Sequence, residues 1–191
     1  DRQKERIVSN SPQEIFSILN KSFNHLFEDE KRDFLPDDLS EAAQLTNDFL
    51  MNQLYRDIFA TAFATSDELQ EKHRCAVFQA LTALDEKLST QTYLLGDQQS
   101  LCDWLLFCIL VRFDAVFAPL FKCSGKELSD FRYLANYFGD LYQERHIGVT
   151  INTAHIKEHY FKSYHDLNPS GDIPEESELN FNYLFNRGGL F

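Results

Sequence analysis

The run Ser100–Phe113, SLCDWLLFCILVRF, most constrains what this chain can become. Ser100 and Asp103 stand at the spacing of a capping box, with Asp in place of the usual Glu. In that motif each side chain satisfies a backbone N–H of the first helical turn. From Trp104 to Val111 eight successive residues are apolar. A helix built from such a run has no face for water, so other helices must enclose it. It is too short to span a bilayer, which needs about 20 apolar residues. Asp103 and Arg112 also bound it on both sides. The fold class that follows is all-α: a bundle around one buried central helix.

The rest of the chain supplies the enclosing helices. SPQE (Ser11–Glu14) is a capping box with Pro12 at the first helical position. Ser11 takes an orphan N–H and Glu14 reaches back. Ile15, Ile18, Leu19 and Phe23 then recur on one face. Before it, RIVS (Arg6–Ser9) has the composition of a short strand, with no second strand nearby to pair with. Glu28–Asp38 is polar and reads as a linker. A long helix is expected over about Leu39–Ala64, and TSDE (Thr65–Glu68) caps the next, which ends near Leu88. Ser89–Gln99 is a loop. Two further helices are expected near Glu127–Gln143 and Thr153–Ser163, and from Asn168 the residues Pro169, Gly171 and Pro174 make coil.

Charge narrows the function. The net charge is -12, which repels phosphates and argues against nucleic acid or an anionic membrane as partner. Cys75, Cys102, Cys108 and Cys123 form no C-x-x-C pair. Reduced, mostly buried thiols in a cytoplasmic protein are the simplest reading. HIKEH (His155–His159) fits H-x-x-E-H, a zinc-protease signature. The zinc reading needs a third ligand, and downstream only Glu175, Glu176 and Glu178 offer one, in a solvated acidic run. The expectation is that no metal is bound.

YLLGDQQSLCDWLLF is similar to a glutathione transferase C-terminal domain. More specific are LVRFDAVF…FKCS (Leu110–Ser124), FATS (Phe63–Ser66), NTAHIKEHYFKS (Asn152–Ser163) and LNPSG (Leu167–Gly171). Together they resemble the glutathionyl-hydroquinone reductases, the xi class of omega-like glutathione transferases, from Arg6 to about Pro174. The resemblance implies residues 1–24 as the last strand and helix of a thioredoxin-like domain and 25–38 as a linker. It implies 39–165 as the C-terminal helical domain and 166–191 as a tail. The family's catalytic Cys belongs to the thioredoxin-like part, which this chain lacks apart from its end.

In that family the Cys thiolate attacks the glutathione sulfur, the hydroquinone leaves, and a second glutathione resolves the mixed disulfide. Tyrosines of the C-terminal domain donate hydrogen bonds to the substrate, a role a neutral phenol suits. Carried over, three such positions fall on Phe59, Phe117 and Tyr160, and only Tyr160 keeps its hydroxyl. Each lost donor, if aimed at developing charge, costs roughly 3 kcal/mol, about a hundredfold in rate. The family's Glu-Ser pair, which binds the γ-glutamyl end of glutathione, reads here Ser11-Pro12, with Gln13 beside it. Pro12 has no N–H to give. The resemblance further implies glutathione as cosubstrate, a quinone-glutathione or other small aromatic conjugate as ligand, and a homodimer through the helical domain.

Two readings therefore stand. In one, the chain is the substrate-pocket and dimerisation domain of such a reductase, with Tyr160 as hydrogen-bond donor. In the other, the changes at Ser11, Pro12, Phe59 and Phe117 mark a non-catalytic binding or scaffold module. Other residues have plainer readings. Cys102 is a structural thiol, Cys123 lies in a turn and can be exposed, and Arg112 and Asp114 form a local ion pair. Phe181, Tyr183, Leu184, Phe185, Leu190 and Phe191 make an aromatic end that is expected to dock on the body or a partner.

Overall fold

The computed structural model describes residues 6–23, 26 and 33–174. The acidic run at Glu175–Glu178 and the aromatic end at Phe181–Phe191 lie outside them, as does part of the expected linker. Among the described residues seven α-helices form: α1 Pro12–Ser22, α2 Ser40–Phe49, α3 Arg56–Ala62, α4 Asp67–Leu88, α5 Leu101–Arg112, α6 Arg132–Gln143 and α7 Thr153–Ser163. The strand expected at Arg6–Ser9 does not form; no partner strand is present among the described residues to take its hydrogen bonds.

Two helical segments depart from the α repeat. Leu50–Tyr55 joins α2 to α3 through a wide π-type turn, so the helix expected over Leu39–Ala64 is one rod with a bulge in it. Phe113–Phe117 continues α5 in the same way, with the Ala118 N–H reaching the Phe113 carbonyl. Each wide turn inserts one residue and re-aims everything after it.

The central helix is α5. Leu106, Phe107, Ile109, Leu110 and Val111 are buried, and Phe107 stacks on Phe138 of α6 with ring centroids 5.1 Å apart. Burying each such side chain contributes about 1.5–3 kcal/mol. Enclosure is nevertheless incomplete. Leu101, Trp104, Leu105 and Arg112 are half-buried and Cys108 is exposed. These residues recur at helical spacing, so one face of α5 is only partly covered by the described residues.

At the start of α5 both arms of the Ser100–Asp103 capping box are made. Asp103 does more than cap. Fully buried, its carboxyl accepts from the Ser100 N–H at 2.7 Å, the Ser100 hydroxyl at 2.6 Å, the Leu94 N–H at 2.9 Å and the Tyr137 hydroxyl at 2.8 Å. One side chain thus ties the preceding loop, α5 and α6 together.

Other helix starts differ from expectation. The cap of α4 is Ser66, not Thr65: the Ser66 hydroxyl takes the Leu69 N–H at 3.2 Å. The segment Glu127–Gln143 divides into a tight turn, Leu128–Asp130, and α6. No residue local to α6 caps it. Asp85 of α4 takes its Tyr133 and Leu134 N–H groups at 2.7 and 2.8 Å. Asn152 caps α7 by accepting from the His155 N–H.

Helix α1 sits apart from this core. Ser11 caps it weakly, accepting from the Glu14 N–H at 3.5 Å. The expected return arm is replaced: Glu14 accepts from the Ser9 hydroxyl, and the Ser9 oxygen accepts from the Ser11 N–H. Asn20 anchors the helix to Asp33 and Phe34. Its apolar residues are largely uncovered, with Ile15, Phe16 and Leu19 40–53% exposed and Ile7 and Val8 before it more so.

Candidate functional site

Three segments bring aromatic rings to one end of the bundle. Tyr55, Phe59 and Phe63 come from the first wide turn and α3, Phe117 and Phe121 follow α5, and Tyr160 and Tyr164 come from the end of α7. Within each segment the rings stand four residues apart, which stacks them on one helical face. Phe117 meets Phe59 at 6.5 Å and Tyr160 at 5.9 Å, both edge to face. Phe121 lies at the middle, 4.9 Å from Phe59, 5.8 Å from Tyr160 and 5.3 Å from Tyr164. Edge-to-face pairs of this kind contribute about 0.5–1.5 kcal/mol each beyond burial.

The residues singled out from the sequence, Phe59, Phe117 and Tyr160, are therefore neighbours in one wall. Phe117 is fully buried and Tyr160 nearly so, whereas Phe59 is half-buried and Phe63 is 47% exposed. Two tyrosines that the sequence reading passed over belong to the same wall. Tyr164 stacks on Tyr160, with rings 5.6 Å apart and nearly parallel. Tyr55 packs 4.8 Å from Phe59 and 6.4 Å from Phe117. The shared i, i+4 spacing of the aromatic pairs was the signal that could have found them.

The hydroxyls differ in environment. Burial first, then the Tyr160 hydroxyl by charge and by hydrogen bond, push Tyr55 up to about 12, with a small opposing pull from Arg112. Burial, then Tyr160, also raises Tyr164. Both phenols stay protonated at neutral pH and able to donate. Arg112 does not pair with Asp114 as expected; its guanidinium donates to the Cys108 carbonyl, while Asp114 accepts from the Leu128 N–H. Asp114 is raised to about 6 by burial, with Glu127 and Asp130 adding to the shift and the Leu128 hydrogen bond opposing it.

The thiols do not offer a nucleophile near the wall. Cys123 is fully buried rather than exposed in its turn, and burial pushes it up to about 12. Cys102 is buried with its thiol toward the Ala43 carbonyl, and burial and Asp103 push it up to about 11. Cys75 and Cys108 are exposed, so the four thiols are not mostly buried. His155 and His159 are both exposed, and the Glu158 between them pairs with Lys162 at 2.6 Å. Among the described residues no three His, Cys, Asp or Glu side chains gather as a metal site. A separate open groove along α4 is lined by Cys75, Phe78 and Thr82, with Arg74 committed to Glu71 and the Ser124 carbonyl. Ser11 and Pro12 begin α1, as expected, and Gln13 follows in its first turn.

Comparison with known proteins places this geometry. Residues 54–140 match the family model described as glutathione S-transferase, C-terminal domain. The glutathionyl-hydroquinone reductase YqjG of Escherichia coli is 34% identical over 91% of the chain and 52% of its own length. The glutathionyl-hydroquinone reductase PcpF of Sphingobium chlorophenolicum is 32% identical over 91% of the chain and 55% of its own length. Among solved structures, glutathione-bound YqjG superposes with a TM-score of 0.92 at 31% identity, covering all of this chain and 62% of that one. A xi-class transferase from Natrialba magadii gives 0.90 at 29% identity, over 98% of this chain and 57% of that one. The chain spans about half the length of the curated relatives it matches. Among the described residues no helix is long and apolar enough to cross a membrane. Residues 54–140 thus carry a glutathione S-transferase C-terminal domain, and the chain is similar to glutathionyl-hydroquinone reductases and xi-class transferases over about half of their length.

Proposed function

We propose that this chain forms the aromatic-substrate wall of a cytoplasmic, glutathione-dependent reductase of glutathionyl-hydroquinones. The observation that carries the reading is the convergence of Phe59, Phe117, Phe121 and Tyr160 at one end of the bundle. An apolar wall with phenol hydroxyls set into it suits a hydroquinone ring, which is flat and apolar with oxygens at its edge. Tyr160 is the proposed donor to one of those oxygens. A cysteine supplied outside this chain would attack the glutathione sulfur. The carbon–sulfur bond breaks, its electron pair stays on the ring and is protonated, and a protein–glutathione disulfide forms. A second glutathione then releases glutathione disulfide and regenerates the thiolate.

Ser11, Pro12 and Gln13, at the start of α1, are the proposed counterpart of the family's glutathione clamp. Within this reading residues 1–24 are the end of a thioredoxin-like domain, 39–165 the helical domain and its dimer surface, and 166–191 a tail. The uncovered apolar face of α1 supports it, since that face has the pattern of a helix packed against a domain.

The test is calorimetric titration of the chain with the glutathione conjugate of hydroquinone. Binding that weakens in Tyr160→Phe supports the reading, and equal affinity of wild type and variant removes Tyr160 from the site. A second reading, a binding module without chemistry, is favoured by Phe at positions 59 and 117 and by Ser11-Pro12. It gains if the chain retains conjugate binding while no turnover appears when the thioredoxin-like domain of a relative is fused upstream.

A further inference from the structure

We propose that the turn Lys122–Gly125 is a positioning device for the aromatic wall, an inference that rests on the conjugate-binding reading above. Strained at Lys122 and clamped by Arg74 of α4, the turn fixes Phe121 between α3 and α7.

Lys122 has a φ of +61°, in the left-handed region that costs an L-residue free energy and that glycine enters freely. Such residues persist where the surrounding structure over-determines them, and they gather at sites whose geometry matters. The chain does place a glycine three residues on. Gly125 has a φ of +127°, and a Cβ there would stand 2.7 Å from Arg74 Nη1. Glycine thus occupies the position where a guanidinium needs the room, and lysine occupies the one where glycine would relieve the backbone. A lysine has fewer accessible conformations than a glycine, so position 122 is stiff as well as strained.

Contacts from two directions hold the turn in this shape. The Arg74 guanidinium donates to the Ser124 carbonyl at 2.7 Å. It is itself fixed by Glu71, which accepts from Nε at 2.9 Å and from Nη2 at 2.6 Å. From the other side, the Cys123 N–H donates to the Phe117 carbonyl at 3.0 Å, and the Cys123 side chain is fully buried. Lys122 is exposed between Cys123 and the fully buried Phe121.

Phe121 is the ring that joins the two sides of the wall. It lies 4.9 Å from Phe59 of α3, 5.8 Å from Tyr160 of α7 and 5.3 Å from Tyr164 at the end of that helix. Being buried, it acts on a ligand through these rings and not by touching it. Phe59 and Tyr164 are half-buried at the open edge. Close-packed side chains pass a shift on to their neighbours, so a displacement of Phe121 changes the spacing that a flat ligand meets. Arg74 and Lys122 are therefore positioning residues, both outside the wall itself.

Isothermal titration with the glutathione conjugate of hydroquinone, paired with melting temperature, tests this on the wild type, Lys122→Gly, Lys122→Asn and Arg74→Ala. Lys122→Gly relieves the strain and frees the turn. Its melting temperature should equal or exceed that of the wild type, while conjugate affinity falls about three- to tenfold. Lys122→Asn tolerates the left-handed region without the freedom of glycine and should keep wild-type affinity. Arg74→Ala should lose affinity by a similar factor to Lys122→Gly. Unchanged affinity in Lys122→Gly or in Arg74→Ala overturns the inference while the conjugate-binding reading stands. So does a lowered melting temperature in Lys122→Gly, which makes position 122 an ordinary stabilising residue. An equal loss of affinity in Lys122→Asn and Lys122→Gly also overturns it, by making the lysine side chain a ligand contact. Wild type that does not bind the conjugate overturns the inference and the reading together.

Discussion

The two ends of α5 are built on opposite principles. At its start a single carboxyl, Asp103, collects four donors from three parts of the chain and is fully buried. At its end rings pack edge to face, polar groups are few, and the surface stays partly open at Tyr55, Phe59, Phe63 and Tyr164. The first end is a joint. Its polar groups are consumed by the protein, so it can fix the positions of α5 and α6 and offer nothing to a ligand. The second end sets phenol rings at a partly open surface. Stability and recognition are thereby separated along one helix, and substitutions at the two ends should divide accordingly.

The largest effect is expected at the joint. Asp103→Ala leaves the Ser100 and Leu94 N–H groups buried without their carboxylate acceptor and weakens the tie to Tyr137, whose hydroxyl keeps the residue-103 carbonyl at 3.3 Å. Equilibrium urea unfolding should show a loss of about 3–5 kcal/mol. A loss below about 1 kcal/mol would mean that water replaces the carboxyl and that the joint is not one.

Asp114, beside the aromatic end, should show a pH effect of opposite sign to an ordinary capping carboxyl. Its folded value is raised from 3.8 to about 6 by burial. Above about 6 it is ionised in both states and the fold bears the full burial cost; below 3.8 it is protonated in both and the cost is gone. This group therefore adds stability as pH falls through that window, on the order of 2–3 kcal/mol in total. Asp114→Asn should raise stability at pH 7 and flatten the profile between pH 7 and 4, as read by melting temperature. An unchanged profile would show that the group titrates normally.

Asp85→Ala removes the acceptor for two N–H groups at the start of α6, with an expected loss of about 1–2 kcal/mol. Faster amide exchange at Tyr133 and Leu134 than elsewhere in α6 is the local signature. The smallest stability change is expected for Tyr160→Phe, below about 1 kcal/mol. Its effect belongs in ligand affinity, so a large loss of stability with no change in affinity would move Tyr160 from the recognition end to the joint.

The same division decided what could be read from the chain alone. The Ser100–Asp103 box and the span of α7 depend on residues three or four apart, and both stand in the structure as expected. The start of α6 was misplaced because its cap comes from Asp85, nearly fifty residues earlier, and no local pattern reports that. Ser66 replaced Thr65 as a cap because two adjacent hydroxyls each offer an N-cap oxygen, and the one used is not the one with Glu at the box position. The ion pair expected between Arg112 and Asp114 failed because the wide turn sends one to the Cys108 carbonyl and the other to Leu128. Phe59, Phe117 and Tyr160 were chosen by resemblance and do lie together. Tyr55 and Tyr164 were missed because the resemblance did not name them, although each stands four residues from a position it did name, Phe59 or Tyr160. The partly covered stripe of α5 was invisible for a different reason: an apolar sequence states that a face should be covered, not how far the described residues cover it.

The two wide turns have a consequence for how this wall can change over generations. Each is an α-helix carrying one residue too many, and each ends on a ring of the wall, Tyr55 in the first and Phe117 in the second. Loss of a single codon within either would restore the regular repeat and remove the widened turn on which these rings are set. Point substitutions can alter the wall one hydroxyl at a time, whereas a change of length within either turn would alter its frame. Variety among relatives should accordingly appear as exchanges of Tyr, Phe, His and Asn at fixed positions, with insertions and deletions confined to the loops outside these two turns.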